Sequence, residues 1–184
     1  GRSMISLPFS KDMLDRAKAK ANNLGSIRNS ILKGGGNLAG YLGEEALAPY
    51  IEADIVSNNR GLDKYNHDLL MKDGNRVEVK TKRRTVKPRI NYDVSVAHTS
   101  THQKPDVYAF ISLEFERSSN THPKSYYGLK NVWLCGFMSA KEYMEKSVIW
   151  KKGKVDKTNN FKTHVDMYNL SIDQLHKYIT GIEA

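Results

Sequence analysis

Asp68, Glu78 and Lys80 fall within the stretch Asn66-His67-Asp68-Leu69-Leu70-Met71-Lys72-Asp73-Gly74-Asn75-Arg76-Val77-Glu78-Val79-Lys80-Thr81-Lys82. Two carboxylates held together can grip a hard divalent cation, and an ammonium group alongside can orient a water or steady growing negative charge. A β-hairpin would bring them together, because two short apolar and β-branched runs flank an Asp-Gly turn. If Lys72, Asp73 and Gly74 form a three-residue loop with Gly74 in the left-handed conformation, Met71 faces Asn75 and Asp68 falls opposite Glu78. The strand period of two then puts Arg76, Glu78, Lys80 and Lys82 on one face, and Leu69, Val77 and Val79 on the other. Opposed carboxylates repel unless something positive sits between them, and a bound divalent cation answers that need. A two-residue Asp73-Gly74 loop would instead set Asp68 beside Val79 and bury an unpaired acid among valines, at a cost of roughly several kcal/mol. The same spacing also suits a solvated charged face, and spacing alone does not choose between the two.

The nine residues between Asp68 and the triplet Glu78-Val79-Lys80 give a pattern that resembles the PD-(D/E)xK nuclease signature, in the form found in resolvase-like and phage members. Upstream, Gly40-Tyr41-Leu42-Gly43-Glu44-Glu45-Ala46 resembles the glycine-glutamate helix start that precedes that signature. Together the likeness spans roughly residues 37 to 115, and it departs from the family's name at His67, where the motif has proline. The resemblance implies an α/β (α+β) restriction-endonuclease-like fold, a mixed central sheet flanked by helices. It implies Mg²⁺- or Mn²⁺-dependent hydrolysis of DNA phosphodiester bonds by an activated water, in a bacterial or phage-infected cytoplasm. In that scheme Asp68, Glu78 and the Val79 carbonyl hold the ion, Lys80 orients the attacking water, and Glu44, with the adjacent Glu45 as the alternative, holds a further water or a second cation. Relatives that cut both strands are commonly dimers, so a homodimer is compatible with the resemblance.

Composition agrees with a polyanionic partner. Lys and Arg number 29 against 20 Asp and Glu, a net charge of +9, which favours nucleic acid without separating an enzyme from a binding protein. A chain of 184 residues suits one domain, expected over residues 4–184 with an N-terminal helical extension at about 10–32. The single cysteine, Cys135, rules out an internal disulfide framework and a cysteine-based zinc cluster, and reads as a buried thiol of a cytosolic protein. No apolar run reaches membrane-spanning length, so no membrane partner is expected, and Gly1-Arg2-Ser3 before Met4 reads as an expression scar.

The elements that position the site follow from periodicity and capping. Ser10 is a fitting N-cap for a helix from Lys11 to about Leu24 that Gly25 ends, with a shorter helix over Ser26 to Leu32. Lys33-Gly34-Gly35-Gly36-Asn37 reads as a flexible break without P-loop spacing, and Asn37 as the cap of a helix to about Ala48. On that helix Leu38, Leu42, Ala46 and Pro49 form the apolar sector, Glu45 lies at its edge and Glu44 points away. Strands are expected at Ile51–Val56, at the hairpin, in part of Ile90–Ala97, at Asp106–Phe115 and at Asn131–Phe137, the last two central. Val148–Lys151 and Val165–Tyr168 are expected to pair. Ser139-Ala140-Lys141-Glu142 reads as a capping box for a helix to about Lys146, and Ser171-Ile172-Asp173-Gln174 as one opening a last helix that ends at Gly181.

Beyond the hairpin, Lys82, Arg83, Arg84, Lys87 and Arg89 form an electrostatic track suited to a DNA backbone. His98 and His102, four apart near a short helix expected around Ser100 to Lys104, lack an acidic third ligand, and Gln103 and Tyr108 do not match the QxxxY spacing of RecB-like nucleases. Two other functions fit the same residues. One is a non-catalytic basic DNA-binding module with structural acids, and the other is a structure-specific (junction) or RNA-directed nuclease.

Overall fold

The computed structural model describes residues 4–27, 35–56, 68–98, 105–117, 128–157, 160 and 162–182, with only the backbone described at 24–27, 35–37 and 68. In chain order the elements are β1 (Ile5–Leu7), α1 (Lys11–Ile27), α2 (Gly35–Tyr50), β2 (Asp54–Ile55), β3 (Asp68–Leu70), β4 (Arg76–Arg84), β5 (Asp93–Ala97), β6 (Val107–Phe115), β7 (Leu129–Ser139), α3 (Ala140–Lys146), β8 (Val148–Trp150) and β9 (Met167–Ser171). Six strands form one mixed sheet in the order β1-β7-β6-β4-β3-β2, in which only β4 and β6 run parallel. A second sheet has the order β5-β9-β8. The fold is therefore α+β, with a mixed central sheet as the sequence led us to expect.

Strand β6 is buried at every position, as its mostly apolar run, interrupted by Ser112 and Glu114, suits a central strand covered on both faces. On one face Leu69, Val77, Val79, Ala109 and Ile111 pack beneath α2, and α1 closes over α2 through Ala17 and Ala21. Small residues on α1 let the two helices approach closely, so α1 belongs to the core. Sandwiched between α1 and the sheet, α2 is buried all the way from Leu38 to Ala48.

The other face is not covered by helices alone. The small sheet lies over it, with Val94, Val96 and Leu170 packed against Tyr108, Phe110 and Met138, and α3 contributes Tyr143. That tyrosine stacks on Phe110 with ring centroids 5.5 Å apart and donates to the Tyr168 carbonyl at 2.6 Å. Its hydroxyl thus ties α3 to β9, and burial pushes its pKa far above the usual tyrosine range.

Several local expectations are corrected. Strand β1 was not anticipated; its three residues are held by pairing with β7 rather than by local pattern. The helix α1 continues past Gly25 to Ile27, and α2 starts at Gly35 within the glycine run rather than at Asn37. A glycine penalty of about 1 kcal/mol per residue at a helix end is small beside the packing that α2 gains further on. Pro49 falls inside the last turn and is exposed, outside the apolar sector drawn for it, and β2 shrinks to Asp54–Ile55.

The expected C-terminal helix is a single 3-10 turn, Ile172–Gln174, although the Ser171–Gln174 capping box does form. His176 then exchanges both backbone hydrogen bonds with Phe137, each at 2.7 Å, so those groups are committed to the sheet and cannot continue a helix. The expected helices over Ser26–Leu32 and Ser100–Lys104 lie largely or wholly outside the described residues, as do His102 and Gln103. Ser10 does cap α1, accepting from the Met13 N–H at 3.2 Å, and Ser139 caps α3, accepting from Glu142 N–H at 3.1 Å. β8 and β9 pair as expected, Val148 opposite Asn169 and Trp150 opposite Met167.

Candidate active site

The hairpin closes on the three-residue loop. Met71 N–H donates to the Asn75 carbonyl and Gly74 N–H to the Met71 carbonyl, both at 2.9 Å, and Gly74 sits at φ +91°. Glycine is suited to that conformation because it has no Cβ to clash. The Asp73 carboxylate accepts from Asn75 N–H at 2.9 Å and stiffens the bend. Asp68 consequently lies opposite Glu78, Leu69 opposite Val77 and Leu70 opposite Arg76. Alternation from the bonded Met71/Asn75 pair makes Asp68/Glu78 a pair without mutual backbone hydrogen bonds, the type in which Cα atoms approach to about 4.5 Å. The Asp68 side chain is outside the described residues; its backbone position is that of the expected register.

Leu69 and Val77 are fully buried under the helices, which turns Glu78 and Lys80 to the opposite face. Glu78 is only 3% exposed, and its Oε1 lies 3.4 Å from the Lys80 ammonium. A direct charge-assisted hydrogen bond would close to about 2.7–2.9 Å. The longer spacing leaves the ammonium able to serve a water or a phosphate oxygen as well. The same alternation points the Val79 carbonyl toward the β3 side of β4, just beyond the ladder that β3 makes with Arg76–Glu78.

The two adjacent glutamates of α2 have different surroundings. Glu45 accepts from Arg16 Nε at 2.7 Å and from Lys20 Nζ at 3.1 Å, tying α1 to α2. Glu44 is completely buried, which corrects the helical-wheel reading that turned it away from the core; with α1 on one side and the sheet on the other, α2 has no solvent face there. Removing Glu45 leaves the mostly buried Lys20 ammonium without its carboxylate. The Glu45→Ala protein is expected to lose about 2 kcal/mol of stability by urea denaturation, the half-exposed Arg16 contributing little.

Gly43 seats α2 against β4. A Cβ at this position would stand inside van der Waals contact with Thr81 Oγ1 and 3.2 Å from Val79 Cγ1. The helix bearing Glu44 can lie this close to the strand bearing Glu78 only because residue 43 lacks a side chain. Gly43→Ala is expected to lower stability by about 1–2 kcal/mol, overpacking outweighing the helix-propensity gain, and Thr81→Ala in the same chain to recover part of it in thermal melts.

The basic run after Lys80 divides by strand alternation. Lys82 and Arg84 turn inward, both donating to the Asp93 carbonyl at 3.1 Å, and Lys82 also donates to Ser95 Oγ at 3.1 Å. Burial, reinforced by Arg84, lowers the Lys82 pKa to about 8. Arg83, Lys87 and Arg89 are exposed, with Arg83 over the Phe115 ring and Lys87 4.4 Å from the Trp133 ring centroid. Sequence reading did not single out Asp106, whose carboxylate accepts from Arg76 N–H at 2.8 Å and fixes the start of β4 against β6. It also passed over Ser112, in register with Lys82 on the parallel neighbour, although a lone hydroxyl in the apolar run of β6 is a usable signal.

The described residues contain no group of three or more His, Cys, Asp or Glu side chains placed to hold a metal, and His98 pairs with the Tyr168 hydroxyl at 3.1 Å. The donor types around β4 nevertheless fit a hard ion. A buried Glu78 carboxylate, the Val79 carbonyl and the aspartate position opposite Glu78 are all oxygen donors, the kind that Mg²⁺ or Mn²⁺ accepts together with waters. Comparison of the chain with protein-family models, with curated proteins and with solved structures returned no match. No helix among the described residues is long and apolar enough to cross a membrane.

Proposed function

We propose that this protein is a Mg²⁺- or Mn²⁺-dependent nuclease of PD-(D/E)xK type that hydrolyses DNA phosphodiester bonds. The observation that carries the reading is the hairpin register, which sets Asp68 opposite a buried Glu78 with the Lys80 ammonium 3.4 Å from it. Asp68, Glu78 and the Val79 carbonyl would hold the ion. When bound, it supplies neutralisation of charge on the phosphate oxygens and makes a water more acidic. Lys80 orients that water and donates to the phosphate; Glu44, buried on the helix that Gly43 seats against the other face of β4, is given a second water by the motif resemblance alone. Arg83, Lys87 and Arg89, with the net charge of +9, hold the backbone of the nucleic acid.

The test is cleavage of supercoiled and linear duplex, single-stranded and branched DNA, and of RNA, with Mg²⁺ or Mn²⁺ and with a chelator. Cutting that requires the ion and fails in Asp68→Asn or Glu78→Gln supports the nuclease, and the substrate preference separates duplex from branched or RNA-directed action. Tight, salt-sensitive binding with no cutting under either ion replaces it with a basic binding module.

A further inference from the structure

Three cavities run together between β4 and the small sheet, all sharing Lys82 and Arg84. The inner one, about 290 Å³, is lined by three cations, Lys80, Lys82 and Arg84, and by no carboxylate. An adjoining outer chamber of about 370 Å³ adds Trp150, Thr163, Asn169 and the acids Asp93 and Asp156. These spaces greatly exceed the room one water needs, about 30 Å³.

The polar atoms along the cleft are unusual for a protein interior. Ser112 Oγ and Arg84 Nε in the inner part, and Asn169 Oδ1 in the outer part, are buried and make no hydrogen bond among the described residues. Buried polar atoms are nearly always satisfied, so atoms left open along one cleft mark where a ligand's groups go. Their chemistry is also segregated. The inner chamber offers donors and positive charge, which suit a phosphate; the outer one offers an amide acceptor and an indole wall, which suit the amino edge and flat face of a base.

We infer that the cleft between the two sheets receives one phosphate-bearing nucleotide, its phosphate against Lys82, Arg84 and Ser112 and its base beside Trp150 and Asn169. Lys80 lines the inner chamber and also stands 3.4 Å from Glu78. On the nuclease reading, therefore, the bound residue is an unpaired nucleotide next to the phosphate that is cut; nucleotide binding itself does not depend on that reading. An acidic peptide is disfavoured by the acids of the outer chamber, and a second metal ion by the cations of the inner one.

The experiment is titration of the full chain, in chelator, with deoxynucleoside 5′-monophosphates, the matching nucleosides and inorganic phosphate. The readout is the indole N–H resonance of Trp150, with Trp133 as an internal reference. Nucleotides are expected to shift Trp150 and to bind roughly tenfold or more tightly than nucleosides, and Ser112→Ala and Lys82→Met each to weaken that binding several-fold to tenfold. Ser112→Ala removes one buried hydroxyl and keeps the fold even should Lys82→Met fail to. No Trp150 shift at millimolar nucleotide, an equal shift from phosphate alone, or unchanged binding in the Ser112→Ala protein overturns the proposal. Because the chelator suppresses cleavage, a nuclease without the pocket and a pocket without nuclease activity give different results.

Discussion

Lys80→Met protein, on the nuclease proposal, is expected to stay folded, to bind DNA and to cleave it about a thousandfold more slowly than the unaltered chain at saturating Mg²⁺. The Lys80 ammonium lies 3.4 Å from the buried Glu78 carboxylate, and methionine keeps its length while removing its donors. A single preorganised donor aimed at developing charge is worth about 10²–10³ in turnover, and an ammonium in a poorly solvated site stands at the upper end. Glu78→Gln is expected to lose at least as much and to raise the Mg²⁺ concentration needed for half-maximal cutting, because an amide is a poorer ligand than a carboxylate. The two glutamates of α2 separate in the same assay. Glu44→Gln is expected to lower turnover, whereas Glu45→Ala, whose partners are Arg16 and Lys20, retains activity per folded molecule. Initial rates on plasmid DNA, normalised to the folded fraction, decide; a Lys80→Met enzyme within threefold of the original removes Lys80 from the chemistry.

The second large effect is on stability. Lys82 has a folded pKa near 8, against 10.5 for a free lysine. Below pH 8 both folded and unfolded chains keep the proton, and folding bears the whole penalty of burying the ammonium. Between about pH 8 and 10.5 the folded chain gives up the proton while the unfolded chain holds it, so the unfolded state binds more protons and stability rises with pH. A shift of this size corresponds to on the order of 3 kcal/mol across that window. The groups facing Lys82 are Arg84 on its own strand, Asp93 on β5, Cys135 on β7 and Asp156; Arg84 acts with burial to lower its pKa, and the other three oppose them. Urea denaturation at intervals from pH 7.5 to 10.5 should show the unaltered chain gaining on Lys82→Met throughout. A constant difference between the two proteins would mean that Lys82 titrates as an ordinary surface lysine.

The hairpin was legible because its information is local: Asp73-Gly74 sets the bend, and alternation sorts Leu69, Val77 and Val79 from Glu78, Lys80 and Lys82. The apolar run of β6 and the Ser139 cap of α3 were legible for the same reason. What escaped depended on partners distant in sequence. Nothing in Ile5–Leu7 announces pairing with Val132–Leu134, and the burial of Glu44 depends on α1 lying over α2. The Ser171 box was read correctly but too generously, since Phe137 takes the backbone groups that a longer helix would have used. The basic run looked uniform along the chain, and only the arrival of β5 shows that Lys82 and Arg84 line a cleft while Arg83, Lys87 and Arg89 meet solvent.

Strand β9 lies between β5 and β8, so the small sheet has no middle until residues 167–171 have been made. The main sheet needs nothing beyond Ser139 to pair all six of its strands. During synthesis the hairpin can therefore settle on its parallel neighbour before β9 is there to complete the cleft that Lys82 and Arg84 line. The wall opposite the hairpin's charged face is thus the last part of the chain to be made, and a chain ending before residue 167 would carry the strands of the hairpin without it.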